Sequence, residues 1–139
     1  MDERNEIAVN VLLVDDEQEF LMPLARRLSR RGFLVRQAGG GREALAMLAE
    51  EPAEVAVVDM TMPDLDGLAT LELMKKAHPD LEVILLSGRA CLDQAINGMS
   101  KGAFDFLLKP ADFETLVYKL TDAAAARRLR KGPAGENEP

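Results

Sequence analysis

The sequence predicts an α/β fold, a five-stranded parallel sheet doubly wound by helices, and three observations predict it. Five short β-branched or apolar runs recur along the chain: Val9 to Val14, Phe33 to Val35, Val55 to Val58, Val83 to Leu86 and Phe104 to Leu108. Several of them are continuously apolar instead of alternating, the pattern of parallel strands covered on both faces. A helix-length stretch separates each run from the next, giving a (βα)5 order. Right-handed crossovers then distribute the helices over both sides of the sheet. With strand order 2-1-3-4-5 the first and third strands are neighbours, and a ligand site is expected at the carboxyl ends of the strands.

The helical stretches are Gln18 to Arg31, Arg42 to Glu50, Gly67 to Ala77, Leu92 to Lys101, and Asp112 to about Arg130. Gly32 follows the first, Asp66 can cap the third, and Asp112 with Thr115 brackets the start of the fifth. Pro23 lies inside the first helix, where it removes the bond to the Glu19 carbonyl, so a kink or delayed start is expected there. The three glycines of "AGGGREAL" lack the lysine and Ser/Thr of a phosphate loop and read as a flexible loop entering the second helix. In the fourth helix Gly98 costs ~1 kcal/mol of helix stability relative to alanine, which suggests a pliable element. Phe113, Leu116, Val117, Leu120 and Ala124 share one face of the fifth helix at core-packing spacing. The polar, Gly/Pro-rich "KGPAGENEP" reads as a disordered tail or linker stub, so the domain is expected to occupy residues 8–126, with 127–139 as tail.

At 139 residues the chain suits one domain. No apolar run approaches the roughly 20 residues of a membrane helix, and no cationic, apolar leader precedes Val9. Cys91 is the only cysteine, which leaves no disulfide framework and points to the cytoplasm. The net charge of -7 disfavours nucleic acid as a direct partner, and a basic cluster, Arg127 to Lys131, is near the chain end. His78, beside a turn proline, reads as a surface loop residue, and Cys91 as a small, partly buried one.

Acids stand where two of the apolar runs stop. "VNVLLVDDE" ends in Asp15 and Asp16, and "VAVVDMTMPDLDGL" has Asp59 directly after Val58. If the first and third strands are neighbours, these three carboxylates converge on one cleft. Like charges this close destabilise the fold unless a cation neutralises them, and Mg²⁺ suits an all-oxygen donor set that leaves room for water. The fourth run brings Ser87 to the same rim, and the fifth brings Lys109 ahead of Pro110. Lysine is a point charge suited to phosphate oxygens, and serine can donate to one. Together they describe a phosphoryl-transfer site on an aspartate.

With "VDDE", "VVDMTMPDLDG", "LLSG" and "GAFDFLLKP" in this order, the sequence closely resembles the receiver domain of two-component response regulators. This CheY-like family has the flavodoxin-like fold, and the resemblance covers about residues 8 to 126. It implies that Asp59 is the phosphoacceptor for a sensor histidine kinase. Asp16 and Asp59 would bind Mg²⁺ through side chains, Thr61 through its backbone carbonyl, and Asp15 mainly through water. Ser87 and Lys109 would contact the phosphoryl oxygens, with Lys109 in a cis peptide to Pro110. Phe106 stands at the switch-aromatic position, and Thr61 and Arg89 at positions that tune hydrolysis. The fourth helix, fifth strand and fifth helix would form an output face for a downstream protein, an effector domain or a phosphorylation-dependent homodimer. "GAFDFLLKP" looks most like receivers attached to transcriptional activators. No effector domain follows Arg130, so the expectation is a stand-alone receiver or the input domain of a longer regulator. Two other classes share some of these residues. An aspartyl phosphohydrolase needs a second acid where Thr61 stands, and a constitutive interaction module would have lost some of the acids or the lysine.

Overall fold

The computed structural model describes residues 8 to 132. Five strands, β1 (Asn10–Val14), β2 (Leu34–Ala38), β3 (Val55–Asp59), β4 (Glu82–Ser87) and β5 (Asp105–Leu108), form one parallel sheet in the order β2-β1-β3-β4-β5. The helices are α1 (Gln18–Arg30), α2 (Gly41–Glu50), α3 (Gly67–Ala77), α4 (Leu92–Ser100) and α5 (Phe113–Lys131). The order reverses between β1 and β3, which puts the ends of those two strands side by side.

Alternation along each strand divides the core between the two sheet faces. Val11 and Leu13 of β1, Val55 and Val57 of β3, and Ile84 and Leu86 of β4 face Leu21 and Leu28 of α1 and Leu116 and Leu120 of α5. Leu12 and Val14, Ala56 and Val58, and Val83 and Leu85 face the opposite way, onto Leu48 of α2 and Leu71 and Met74 of α3. Each fully buried leucine or isoleucine contributes about 1.5–3 kcal/mol by leaving water. Because β1, β3 and β4 are covered on both faces, their sequences had to be continuously apolar.

The edge strand β2 differs from the expected Phe33 to Val35: it begins at Leu34 and continues through Arg36 and Gln37 to Ala38. An edge strand needs no apolar side chain at every position, and Arg36 donates to the carbonyls of Glu51 and Pro52. β4 also starts one residue early, at Glu82, whose carboxylate takes a hydrogen bond from Arg130 at 2.8 Å.

Helix capping follows the expected residues. Asp66 accepts from the Ala69 N–H at 2.8 Å, and Asp112 from the Thr115 N–H at 2.9 Å. Gly32, after α1, has φ 98°, a conformation that favours glycine. The irregularity expected at Pro23 is absent, and α1 is helical without a break from Gln18 to Arg30. Pro23 and Glu19 both lie on the solvent side, so the carbonyl that loses its partner faces water. The glycine run is also more constrained than a flexible loop. Gly39 donates to the Glu43 carboxylate, and a β-carbon on Gly41 would be 2.2 Å from Thr70 Oγ1, so the run allows α2 to pack against α3. Gly98 has a comparable packing role: a β-carbon there would be 2.6 Å from Leu85 Cδ1, so α4 sits directly on β4. Of the tail reading, residues 133–139 lie outside the described residues, while α5 itself runs on to Lys131.

Candidate functional site

β1 ends at Val14, and the next residue, Asp15, is fully buried, its N–H bonded to the Ala38 carbonyl of β2 at 3.1 Å. β3 ends on Asp59, 5% exposed. Because β1 and β3 are neighbours, carboxylate oxygens of Asp15, Asp16 and Asp59 lie within 4.8 Å of one another, with Asp16 exposed. Past Asp59 the chain turns tightly into α3. Gly67 donates to the Met60 carbonyl, and a β-carbon on Gly67 would be 2.6 Å from the Asp59 carbonyl oxygen. Only glycine lets the helix start this close to the acid.

Lys109 enters from the end of β5, and its peptide bond to Pro110 is cis. The ammonium is 2.8 Å from Asp59 Oδ1 and 3.5 Å from Asp15 Oδ2. It also lies 5.1 Å from the ring centroid of Phe20, an aromatic face favourable to a cation. One lysine thus meets two carboxylates, with the third, Asp16, beside them, and the balance is visible in Asp15, Asp59 and Lys109. Burial pushes the Asp15 carboxyl above its ordinary value and the Asp59 charge adds to it, against the Glu17 N–H and Lys109. Burial likewise raises Asp59, more than Lys109 can offset, and the charges of Asp16 and Glu17 act the same way. For Lys109 burial acts to lower the value, but the hydrogen bond and charge of Asp59, with Asp15, outweigh it and hold the ammonium protonated.

Ser87 is fully buried at the end of β4, and its hydroxyl donates to the Gly88 carbonyl at 2.7 Å and makes no bond to the acids. Thr61 is exposed on a cavity of about 480 Å³ shared with Asp16, Asp59 and Lys109. Its Oγ1 lies 3.3 Å from Cys91 Sγ, a half-buried thiol on the 3-10 turn Arg89–Cys91. Arg89 on that turn is exposed and has no hydrogen bond or ion pair among the described residues. Phe106 is half-buried against the apolar cluster shared with α2 and α3, away from the cavity. Thus Asp15, Asp16, Asp59 and Lys109 come together with Thr61 at their rim. Ser87 is adjacent but turned to its own loop, and Arg89 and Phe106 are peripheral.

Three contributors escaped sequence reasoning. Glu17 lines the cavity and gives its N–H to Asp15 Oδ1 at 3.0 Å; its place in the acidic run was the available signal. Phe20, one helical turn later, carries no sequence mark of its contact with Lys109, and neither does Cys91 of its contact with Thr61.

The family model described as response regulator receiver domain matches residues 11–121. Among curated proteins, the DNA-binding transcriptional regulator NtrC of Proteus hauseri is 36% identical over 124 residues, covering 89% of this chain and 26% of that protein. A response regulator receiver domain protein of Clostridium thermocellum superposes with a TM-score of 0.84 at 33% identity, over 87% of this chain and 98% of that one. NtrX of Brucella abortus also gives 0.84 at 32% identity, over 89% of this chain and 29% of that one. The chain spans about a quarter of the length of the curated relatives it matches first. Among the described residues no helix is long and apolar enough to cross a membrane.

Proposed function

Since the chain belongs to the response regulator receiver domain family, we propose that it is a phosphorylation-activated switch that accepts a phosphoryl group on Asp59 from a sensor histidine kinase. The observation that carries this reading is the Lys109 ammonium 2.8 Å from Asp59 Oδ1, within a cluster of three carboxylates that it cannot neutralise alone. A carboxylate oxygen of Asp59 attacks phosphorus as the bond from the donor's histidine nitrogen to phosphorus breaks, and the imidazole leaves with a proton. Lys109 follows the charge onto the transferred oxygens. Ser87 turns its hydroxyl from the Gly88 carbonyl to a phosphoryl oxygen. Such positioned charges and donors are where most of the rate in phosphoryl transfer originates.

The donor set fits a hard divalent cation: three acids with oxygens inside 4.8 Å, one of them exposed, and only one lysine against them. Asp16 and Asp59 would hold Mg²⁺ through their side chains, Thr61 through its carbonyl, and Asp15 mainly through water. Bound there, the ion neutralises charge on the transferred oxygens. Thr61 and Arg89 flank the acyl phosphate and tune its hydrolysis, and Phe106 is the aromatic that turns inward when Ser87 moves. Ile96 and Met99 of α4, Leu108 of β5 and Tyr118 of α5 are exposed apolar residues on the expected output side. That face would take a downstream protein, an effector domain or a second copy of the chain, in the cytoplasm. The likeness to NtrC, a DNA-binding transcriptional regulator, supports control of transcription as the output. The receiver unit is read as residues 8–126, with 127–139 as the tail or linker stub, of which 127–131 continue α5.

Acetyl phosphate with Mg²⁺ tests the assignment. The protein should take up acid-labile label, and Asp59→Asn should abolish it. Acid-stable label, or label unchanged in Asp59→Asn, would refute the reading.

A further inference from the structure

The contact between Thr61 Oγ1 and Cys91 Sγ, 3.3 Å apart, joins the loop after β3 to the loop after β4. These are the loops that carry the chain away from Asp59 and Ser87. Cys91 is half-buried against the apolar cluster on the α2 and α3 side of the sheet, which gives its side chain one packed side, while the contact with Thr61 is exposed. Thr61 is β-branched, with few rotamers open to it, so a partner on Oγ1 fixes the whole side chain. The second loop has a further link. The Gly88 carbonyl accepts both from the Ser87 hydroxyl, at 2.7 Å, and from the Cys91 N–H, at 3.1 Å. One peptide therefore holds Ser87 away from Asp59 and also closes the turn that presents the thiol to Thr61. The β-carbon side of Gly88 is open, with nothing within 4 Å of where a β-carbon would be.

We propose that the Thr61–Cys91 contact is a latch that favours the resting arrangement of the two loops and so opposes the turn of Ser87 toward a phosphoryl group on Asp59. This inference rests on the receiver reading above. Cys91 is then a positioning residue: it touches neither the phosphoryl group nor the metal, and acts through Thr61 and the Gly88 peptide. A thiol is a weak hydrogen-bonding group, so the bias is small and suited to setting a level instead of blocking the switch.

The test is a double-variant cycle read by the apparent affinity for beryllofluoride, a phosphoryl mimic, with saturating Mg²⁺. Cys91→Ala and Thr61→Val should each raise that affinity about two- to five-fold, the size expected for one weak neutral hydrogen bond. The double variant should gain no more than the larger single change, because both remove the same contact. Cys91→Ser, which keeps a hydroxyl of similar reach, should return to within about twofold of wild type; a purely structural cavity at position 91 would not be repaired this way. Additive effects, a fall or no change in Cys91→Ala, or Cys91→Ser matching Cys91→Ala would overturn the latch while leaving the receiver reading standing. A wild-type protein that takes neither beryllofluoride nor acetyl phosphate label would overturn both.

Discussion

Arg128→Ala tests how the sheet is held at the end opposite the acids. Glu54, immediately before β3, is fully buried; Arg128 of α5 reaches it with two nitrogens, Nη2 at 2.8 Å from Oε1 and Nε on Oε2. The Asn10 N–H adds a third donor at 3.1 Å. Truncating the arginine leaves a buried carboxylate with one backbone donor, and breaking such a pair from one side costs about 3–5 kcal/mol. The Arg128 side chain is 25% exposed, so water reaches part of the pair and lowers the expectation to about 2–4 kcal/mol. Urea denaturation with a slope of about 1–3 kcal/mol per molar should show the midpoint falling by roughly 1–2 M. Adding Glu54→Gln to Arg128→Ala should recover part of the loss, since the buried charge is gone. A cost below about 1 kcal/mol, the size of an exposed pair, would refute the argument that Glu54 is a buried, dependent charge.

Gly98→Ala should lower stability by about 1 kcal/mol at equilibrium unfolding: the crowding against Leu85 outweighs the helix propensity gained; a rise in stability would restore the reading of α4 as intrinsically pliable. Without metal, the raised carboxyls of Asp15 and Asp59 bind protons more tightly folded than unfolded. Their contribution is therefore destabilising at neutral pH and fades as pH falls through the raised values, the reverse of an ordinary paired carboxylate. Asp59→Asn should accordingly raise the metal-free melting temperature at pH 7 and do so less at pH 4; a lower melting temperature at pH 7 would contradict this sign. In Mg²⁺ titrations Asp16→Asn should weaken binding more than Asp15→Asn, because Asp16 is exposed toward the cavity whereas the buried Asp15 is engaged by the Glu17 N–H and Lys109. Equal losses would remove the division between a direct ligand and one acting through water.

The strands that carry the acids were legible because burial on both faces leaves little freedom in composition. β1, β3 and β4 could hardly be written otherwise. β2, with one neighbour only, could afford Arg36 and Gln37, and half of it was invisible to a hydrophobic reading. Pro23 misled because the rule against helical proline assumes that the orphaned carbonyl matters, and here it faces solvent. The glycines at 41 and 98 looked like flexibility, but each is a close approach between elements far apart in sequence. The acidic cluster was legible once the strand order was supposed, since strand ends are fixed by topology. The pairs Glu54–Arg128 and Glu82–Arg130 were not, because a lone acid at the amino end of a strand does not name a partner tens of residues away.

An acid stands just before β3 and another at its end, and the two are treated oppositely. Glu54 is matched by an arginine and a backbone donor, whereas Asp59 shares its one lysine with Asp15 and lies beside Asp16. Both cations come from the last part of the fold, since Lys109 directly follows β5 and Arg128 lies near the end of α5. The far end of α5 is thus fixed to the sheet by a buried pair, with Arg130 on Glu82 beside it. Its near end depends on a lysine whose partners are short of positive charge. A phosphoryl group on Asp59 would draw Lys109 onto new oxygens without disturbing Glu54. On the proposed reading, the movement would fall between these anchors, on β5 and the first turns of α5, where Leu108 and Tyr118 are exposed. On that reading, a stable base with an unbalanced upper rim would let a change of charge on one carboxylate alter a surface without unfolding the domain.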